Sequence, residues 1–269
     1  MMRSLLILAA LAAVSTGADS TPPATTPTAP HAGVLFAQTV RDSTTILAAG
    51  PGAKARSLAR GETFSANGQI VYVPAGLALL FVLSNNDAIY LPAGGRLTLD
   101  EFTQDPISDT NSDLEYEPSR SNLRLTLAQG TLAVSGRKPV PTSAFTLTTP
   151  LAQFSFHSQS FVVHADGDGV AVTLLDGTVD VTVPETGFHD TLLAGQTATL
   201  TRQSLHAPYP LKLATISTDD QDHFNRWLAI ANIAEIRVTF SGTGQDLVAT
   251  QLVPQSFTQQ ISADDPRYR

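Results

Sequence analysis

The 269-residue sequence contains no cysteine. That absence excludes a disulfide scaffold, a thiolate metal site, a cysteine nucleophile and a cysteine-linked lipid anchor. Charge is sparse, at 15% of residues, and positive charge is sparsest: 16 Lys and Arg stand against 24 Asp and Glu, a formal net charge of −8. A nucleic-acid binder needs a basic patch, so this balance argues against nucleic acid as a partner. Aromatics make up only 7% of the chain, which signals no sugar-stacking cleft. Catalytic signatures are missing too. There is no Gly-x-Ser-x-Gly elbow, no phosphate loop and no His-Glu-x-x-His helix. A glycosidase would need two carboxylates roughly 5 to 10 Å apart in a cleft, and nothing in the sequence selects such a pair.

What is present begins with an address. Residues 1–18 combine Arg3, an apolar run from Leu5 to Val14 and the small residues Ser15-Thr16-Gly17-Ala18. This is the three-part pattern of a secretory signal peptide, with cleavage expected after Gly17 or Ala18. The run is about half of the roughly 20 residues a membrane span needs, and no later stretch is long and apolar enough. The expectation is an exported protein of the periplasm or cell envelope, with no membrane span once the signal is cleaved. Residues 19–32, rich in Pro and Thr, read as an extended spacer; an O-glycosylated stalk is the alternative.

From residue 33 the dominant period is two, broken often by Gly, Pro, Asn and Asp. Ile70–Val73 predicts a strand. Leu77–Leu83 is a continuous apolar run whose length suits a strand buried on both faces. Ala88–Leu91, Arg96–Leu99, Leu123–Val134, Phe145–Thr148, Val170–Leu174, Thr178–Val183 and a stretch around Ala194-Gly195 predict further strands. Asp176-Gly177 carries the signature of a two-residue type I′ hairpin joining Val170–Leu174 to Thr178–Val183. Phe154 and Phe156 occupy even positions, whereas Phe161 and Val163 occupy odd ones. One pleat cannot place both pairs on the same face, so either a bulge or corner lies near Ser158-Gln159-Ser160, or these are two separate strands.

One helix is expected late, capped by Thr218 or Asp219, with Asp219, Asp220 and Asp222 at its positive end. Phe224, Trp227, Leu228 and Ala231 form its apolar stripe, and Trp227 reads as a packing anchor. Ile236–Phe240 and Asp246–Val253, around a Gly242-Thr243-Gly244 turn, predict a returning strand pair. Ser262–Arg269 is polar and reads as a frayed end. The fold class is therefore all-β: two twisted, mainly antiparallel sheets packed as a sandwich or roll, with one short C-terminal helix.

Candidate ligands are few. The six histidines, His31, His157, His164, His189, His206 and His223, are scattered, and zinc needs converging ligands. His157 and His164 could converge only through the corner near residue 159. Asp166-Gly167-Asp168-Gly169 offers oxygens that calcium would accept, but such a segment also makes turns for conformational reasons alone. Asp100, Glu101, Asp105, Asp109, Asp113, Glu115 and Glu117, against the cation Arg120, form an acidic stretch. It reads as a solvated loop held open by repulsion, or as a docking surface for a basic partner. No residue is assigned a catalytic, cofactor-binding or metal-ligating role.

Six patches resemble the FecR domain, the periplasmic domain of the ferric-citrate sigma-factor regulator family. They are Leu58-Ala59-Arg60-Gly61-Glu62, Asn86–Pro92, Leu123–Leu132, Phe145–Pro150, Val172–Val181 and Leu192–Gln196, in the family's order and spacing over residues 58–204. Two departures stand out. Ser158 and Gln159 replace a Gly-Thr pair, and residues 100–122 look like an insertion. The resemblance implies a stand-alone exported β domain over 33–217, followed by a helix and strand extension over 218–269. The function it implies is non-enzymatic binding of an envelope protein or polymer, without a cofactor. A periplasmic part of a FecR-type signalling system regulating transport genes is the alternative, and a carbohydrate-binding module or hydrolase on a β scaffold is the second alternative.

Overall fold

The computed structural model describes residues 31–32, 34–39, 46–49, 54–59, 61–107, 115–158, 160–235, 238–241 and 248–251. The expected signal peptide, most of the spacer, Gln159, the 242–244 turn and the polar tail lie outside these residues. Lead-in strands are β1 (His31–Ala32), β2 (Val34–Thr39), β3 (Ile46–Ala49), β4 (Arg56–Ser57) and β5 (Thr63–Ser65). β1 thus takes the last two residues of the expected spacer. β6 (Gln69–Tyr72), β7 (Leu79–Leu83), β8 (Ala88–Leu91) and β9 (Arg96–Gln104) follow, then the long β10 (Ser121–Ser135). Next come β11 (Ala144–Thr148), β12 (Gln153–His157), β13 (Ser160–Ala165), β14 (Gly169–Leu174), β15 (Thr178–Val183), β16 (Phe188–Leu193), β17 (Gln196–Thr201) and β18 (Lys212–Thr215). Helix α1 (Thr218–Glu235) precedes a separate hairpin of β19 (Val238–Ser241) and β20 (Val248–Gln251).

The strands roll into two facing sheets. The first runs β4-β3-β6-β9-β10-β11-β12-β15-β16, with β1 beside the far end of β9. The second runs β5-β2-β7-β8-β10-β13-β14-β17-β18. Among the described residues every strand pair is antiparallel except β10 with β11, so the all-β, mainly antiparallel expectation holds.

β10 belongs to both sheets. Its first half pairs with β9 and β11, and its second half with β8 and β13. Leu123, Leu125 and Leu127 enter the core at odd positions, whereas Leu132 and Val134 enter at even ones. The phase changes around Gly130, whose φ is +100° and whose missing Cβ would lie 2.6 Å from the Cα of Gly95. Only glycine permits both that dihedral and that approach.

After β10 the chain lays down hairpins alternately. β11-β12 joins the first sheet, β13-β14 the second, β15-β16 the first and β17-β18 the second. This corrects two expectations. Asp176-Gly177 does not close a hairpin between β14 and β15, because those strands stand in opposite sheets and pair with β17 and β12 instead. The segment is a corner, in which the Asp176 carboxylate accepts from the Ser158 hydroxyl at 2.6 Å and the Ser160 N–H at 3.1 Å. Ala194-Gly195 likewise is the corner between β16 and β17, not the middle of a strand. The change of phase between Phe156 and Phe161 is resolved as two separate strands in opposite sheets. Their rings meet across the core, stacked with centroids 3.6 Å apart.

Two cores result. The larger lies between the sheets and includes Phe81, Phe102, Phe154, Phe161 and Leu174. The smaller lies on the outer face of the second sheet, where Leu80, Val82, Ala88, Tyr90, Ala133 and Val162 meet Leu228, Ile230 and Ala231 of α1. The continuous apolar run in β7 follows from this arrangement, since Leu79, Phe81 and Leu83 face the inner core while Leu80 and Val82 face the helix. Trp227 and Phe224 flank the same patch, as a packing anchor would. The helix cap is Ser217, one residue before the expected Thr218 or Asp219. Its hydroxyl accepts from the Asp220 N–H at 3.1 Å.

Candidate functional site

The acidic stretch 100–122 is where structure and expectation differ most. Among its described residues it is not a repelling loop. Residues 100–104 continue β9 and residues 121–122 begin β10. Glu101 pairs with Arg124 at 2.7 Å, Asp105 with Arg120 at 3.1 Å, and Glu115 with Lys138. Asp100 accepts from the Thr126 hydroxyl at 2.7 Å. Asp109 and Asp113 lie outside the described residues. Opposite charges from the neighbouring strand and from the 136–143 segment replace the self-repulsion that the sequence alone suggests.

Glu117 turns inward and is 3% exposed. One carboxylate oxygen accepts from the Ser121 hydroxyl at 2.6 Å and the other from the Val140 N–H at 2.9 Å. Ser121 in turn accepts from the Asn85 amide at 3.2 Å, and its N–H donates to the Ser143 hydroxyl at 2.9 Å. A second chain of bonds runs beside it. Ser84 donates to Gln104 at 2.6 Å, Gln104 to Ser119 at 3.0 Å, and Ser119 to the Asp105 carbonyl at 2.7 Å. Together these tie the β7–β8 turn, the end of β9, the 115–121 segment and the 138–143 segment into one polar plug. Burial pushes the Glu117 carboxyl above its ordinary 4.5, against the hydrogen bonds from Ser121, Ser143, Val140 and Asn85 that pull it down.

The cavity beside Glu117 holds about 20 Å³ and is lined also by Asp87 and Arg137. That is room for about one water molecule. No substrate enters such a space, so Ser121 and Glu117, although 2.6 Å apart, act there as a structural pair. Nothing near Glu117 in the sequence marks it off from the other acids. Its burial is made by residues 85, 121, 140 and 143, which only the fold brings together.

The remaining candidates are dispersed. His157 ends β12 in the first sheet and lies 3.6 Å from Asp180, while His164 sits in β13 of the second sheet and meets the Thr131 hydroxyl at 2.9 Å. The corner between them therefore does not make them converge. His206 faces Glu185 at 3.3 Å, His223 packs edge-on against Trp227, and His189 lies on β16. His31 belongs to β1. In the 166–169 turn, Asp166 spends one oxygen on the N–H groups of Asp168 and Gly169, at 2.8 and 2.7 Å. Those bonds hold its carboxyl below the ordinary range, and they are the conformational use of aspartate in a turn. Among the described residues, no three His, Asp or Glu side chains are grouped to hold a metal ion, and no helix is long and apolar enough to cross a membrane.

Comparison with known proteins supports the resemblance. The model of the family described as FecR protein matches residues 84–180. Three of the six patches fall inside that match, Val172–Val181 runs one residue past it, and Leu58–Glu62 and Leu192–Gln196 lie outside. No curated protein matches the sequence. Two crystal structures of candidate anti-sigma factors from Parabacteroides distasonis are similar in part. One has 16% identity and a TM-score of 0.43, covering 58% of this chain and 64% of its own. The other has 15% identity and a TM-score of 0.41, covering 70% of this chain and 86% of its own. The chain thus spans less than two thirds of the first neighbour's length.

Proposed function

We propose that this chain, with its FecR-type region at residues 84–180, is an exported domain that binds a protein or polymer of the cell envelope and catalyses no reaction. The family match carries this reading, because it falls on β8 to β15, the strands that build the centre of both sheets. The closed polar plug around Glu117 agrees with it, since its hydroxyl and carboxylate are consumed in joining segments. Cross-linking in intact cells, followed by purification of the chain from envelope fractions, tests the reading. A discrete cross-linked partner, absent from a parallel preparation of an unrelated exported β protein, is the expected result. No enrichment over that control would overturn it.

A second, narrower reading, which rests on the resemblance to the FecR family over residues 84–180, is that the domain is the periplasmic part of a FecR-type signalling system controlling transport genes. Deleting the gene should then change transcription of a transport operon under iron limitation. An unchanged transcriptome would count against signalling while leaving envelope binding in place.

A further inference from the structure

We propose that a groove on the outer face of the second sheet binds a zwitterionic ligand of the amino-acid or short-peptide class. The inference is independent of the function proposed above, since the groove draws on β17 and the turn after it as well as on the family-matched strands. Helix α1 packs over β7, β8, β10 and β13 through residues such as Leu80, Ala133 and Val162. Beyond that cover, a rung of paired residues runs Thr131, His164, Ala171, Thr199 across β10, β13, β14 and β17. Ala171 is the smallest side chain of the rung, so the floor dips there. The 166–169 turn and the Arg202-Gln203 segment line the dip, an open concavity of about 480 Å³. That volume lies in the range of small-ligand sites, about 300 to 1,000 Å³.

One turn holds charges of both signs at this groove, the carboxylates of Asp166 and Asp168 and the guanidinium of Arg202. The Arg202 backbone N–H donates to the Asp168 carbonyl at 2.9 Å, and its Nε donates to the Gly167 carbonyl at 2.7 Å. The side chain is thereby anchored at Nε, and both terminal nitrogens of the guanidinium are without a partner among the described residues. A planar fork fixed in this way suits a carboxylate, and it loses little freedom on binding one. In the same turn one oxygen of Asp166 accepts from backbone N–H groups and the other lies 3.9 Å from His164 Nε2, whereas the Asp168 carboxylate, also lining the groove, has no side-chain partner among the described residues. A simple anion at Arg202 would meet the repulsion of Asp168 and Asp166, and a simple cation at Asp168 would leave the Arg202 fork unpaired. A ligand carrying an ammonium and a carboxylate satisfies both charges, and this opposition is what selects its class.

The test is an NMR titration of the full chain with L-alanyl-L-alanine, with acetate and methylammonium in separate arms. Saturable shifts of the Gly169, Ala171 and Thr199 amides are expected with the dipeptide and not with either ion at equal concentration. Asp168→Asn, whose side chain holds no other contact, and Arg202→Gln should each weaken binding roughly tenfold or more, the worth of one charge-assisted hydrogen bond. Arg202→Gln also loosens the Gly167 contact, so Asp168→Asn is the decisive variant. The proposal is overturned if the dipeptide causes no saturable shift, if Asp168→Asn binds it as the parent does, or if acetate or methylammonium alone shifts the same amides equally.

Discussion

Glu117 shows how one residue can reverse the meaning of its neighbourhood. Six of the seven acids in its stretch could be exchanged for one another in the sequence without changing the reading, and so could Glu117. The fold separates it by taking its carboxylate out of water and supplying donors from residues 121 and 140. A carboxyl whose folded-state pKa is raised above 4.5 binds its proton more tightly folded than unfolded. Its contribution to stability is therefore fully present below the unfolded value and is lost as pH rises through the raised native value. Glu117→Gln removes that titration. Urea unfolding of both proteins from below pH 4.5 to neutrality should show the parent losing stability relative to Glu117→Gln as pH rises. The turn carboxylate Asp166, which titrates in the opposite sense, is common to both and cancels in the difference. A difference that stays flat with pH would remove Glu117 from the account.

At the scale of elements, the corners matter more than the strands. Three changes of phase, between Leu127 and Leu132, between Phe156 and Phe161, and between Leu174 and Val179, each mark a passage from one sheet to the other. The strands themselves are ordinary alternations. The passages demand particular residues, as the 175–177 corner shows. Gly177 has φ +64°, and a Cβ added there would press on the backbone carbonyl of His157. Strain and overpacking act together at that point, so Gly177→Ala should cost about 2 to 5 kcal/mol. Chemical denaturation measures it directly. A loss below about 1 kcal/mol, within the range of mild surface changes, would show that the β12–β13 and β14–β15 corners do not lean on one another.

For the whole molecule, the division into two cores predicts a separable behaviour. The inner core is complete between the two sheets, whereas the outer one exists only while α1 covers Leu80, Val82, Tyr90, Ala133 and Val162. A chain ending at Ser217 should keep its β-type far-UV circular dichroism and bind a hydrophobic dye such as ANS at the uncovered patch, with a greater tendency to associate. Loss of the β signal in that truncation would mean that the sheets depend on the helix.

Much of this architecture was legible in the residues. Period-two alternation places Leu123, Phe154, Val170 and Val179 on strands because a pleat sends successive side chains to opposite faces, and that rule is local. The apolar stripe of α1 and its acidic first turn were legible for the same reason. The FecR likeness in the middle of the chain rested on the order of such local units. What only the tertiary structure decided was partnership. Asp176-Gly177 has the chemistry of a hairpin turn, yet the pairing of β14 with β17 and of β15 with β12 makes it a corner. The acids of 100–122 have the composition of a repelling loop, yet Arg120, Arg124 and Lys138 sit opposite three of them, and Glu117 goes inside. The anchoring of Arg202 on Gly167 joins residues 35 apart. Local steric preference is written residue by residue along a chain, whereas burial and charge pairing depend on which distant segments the sheets bring together.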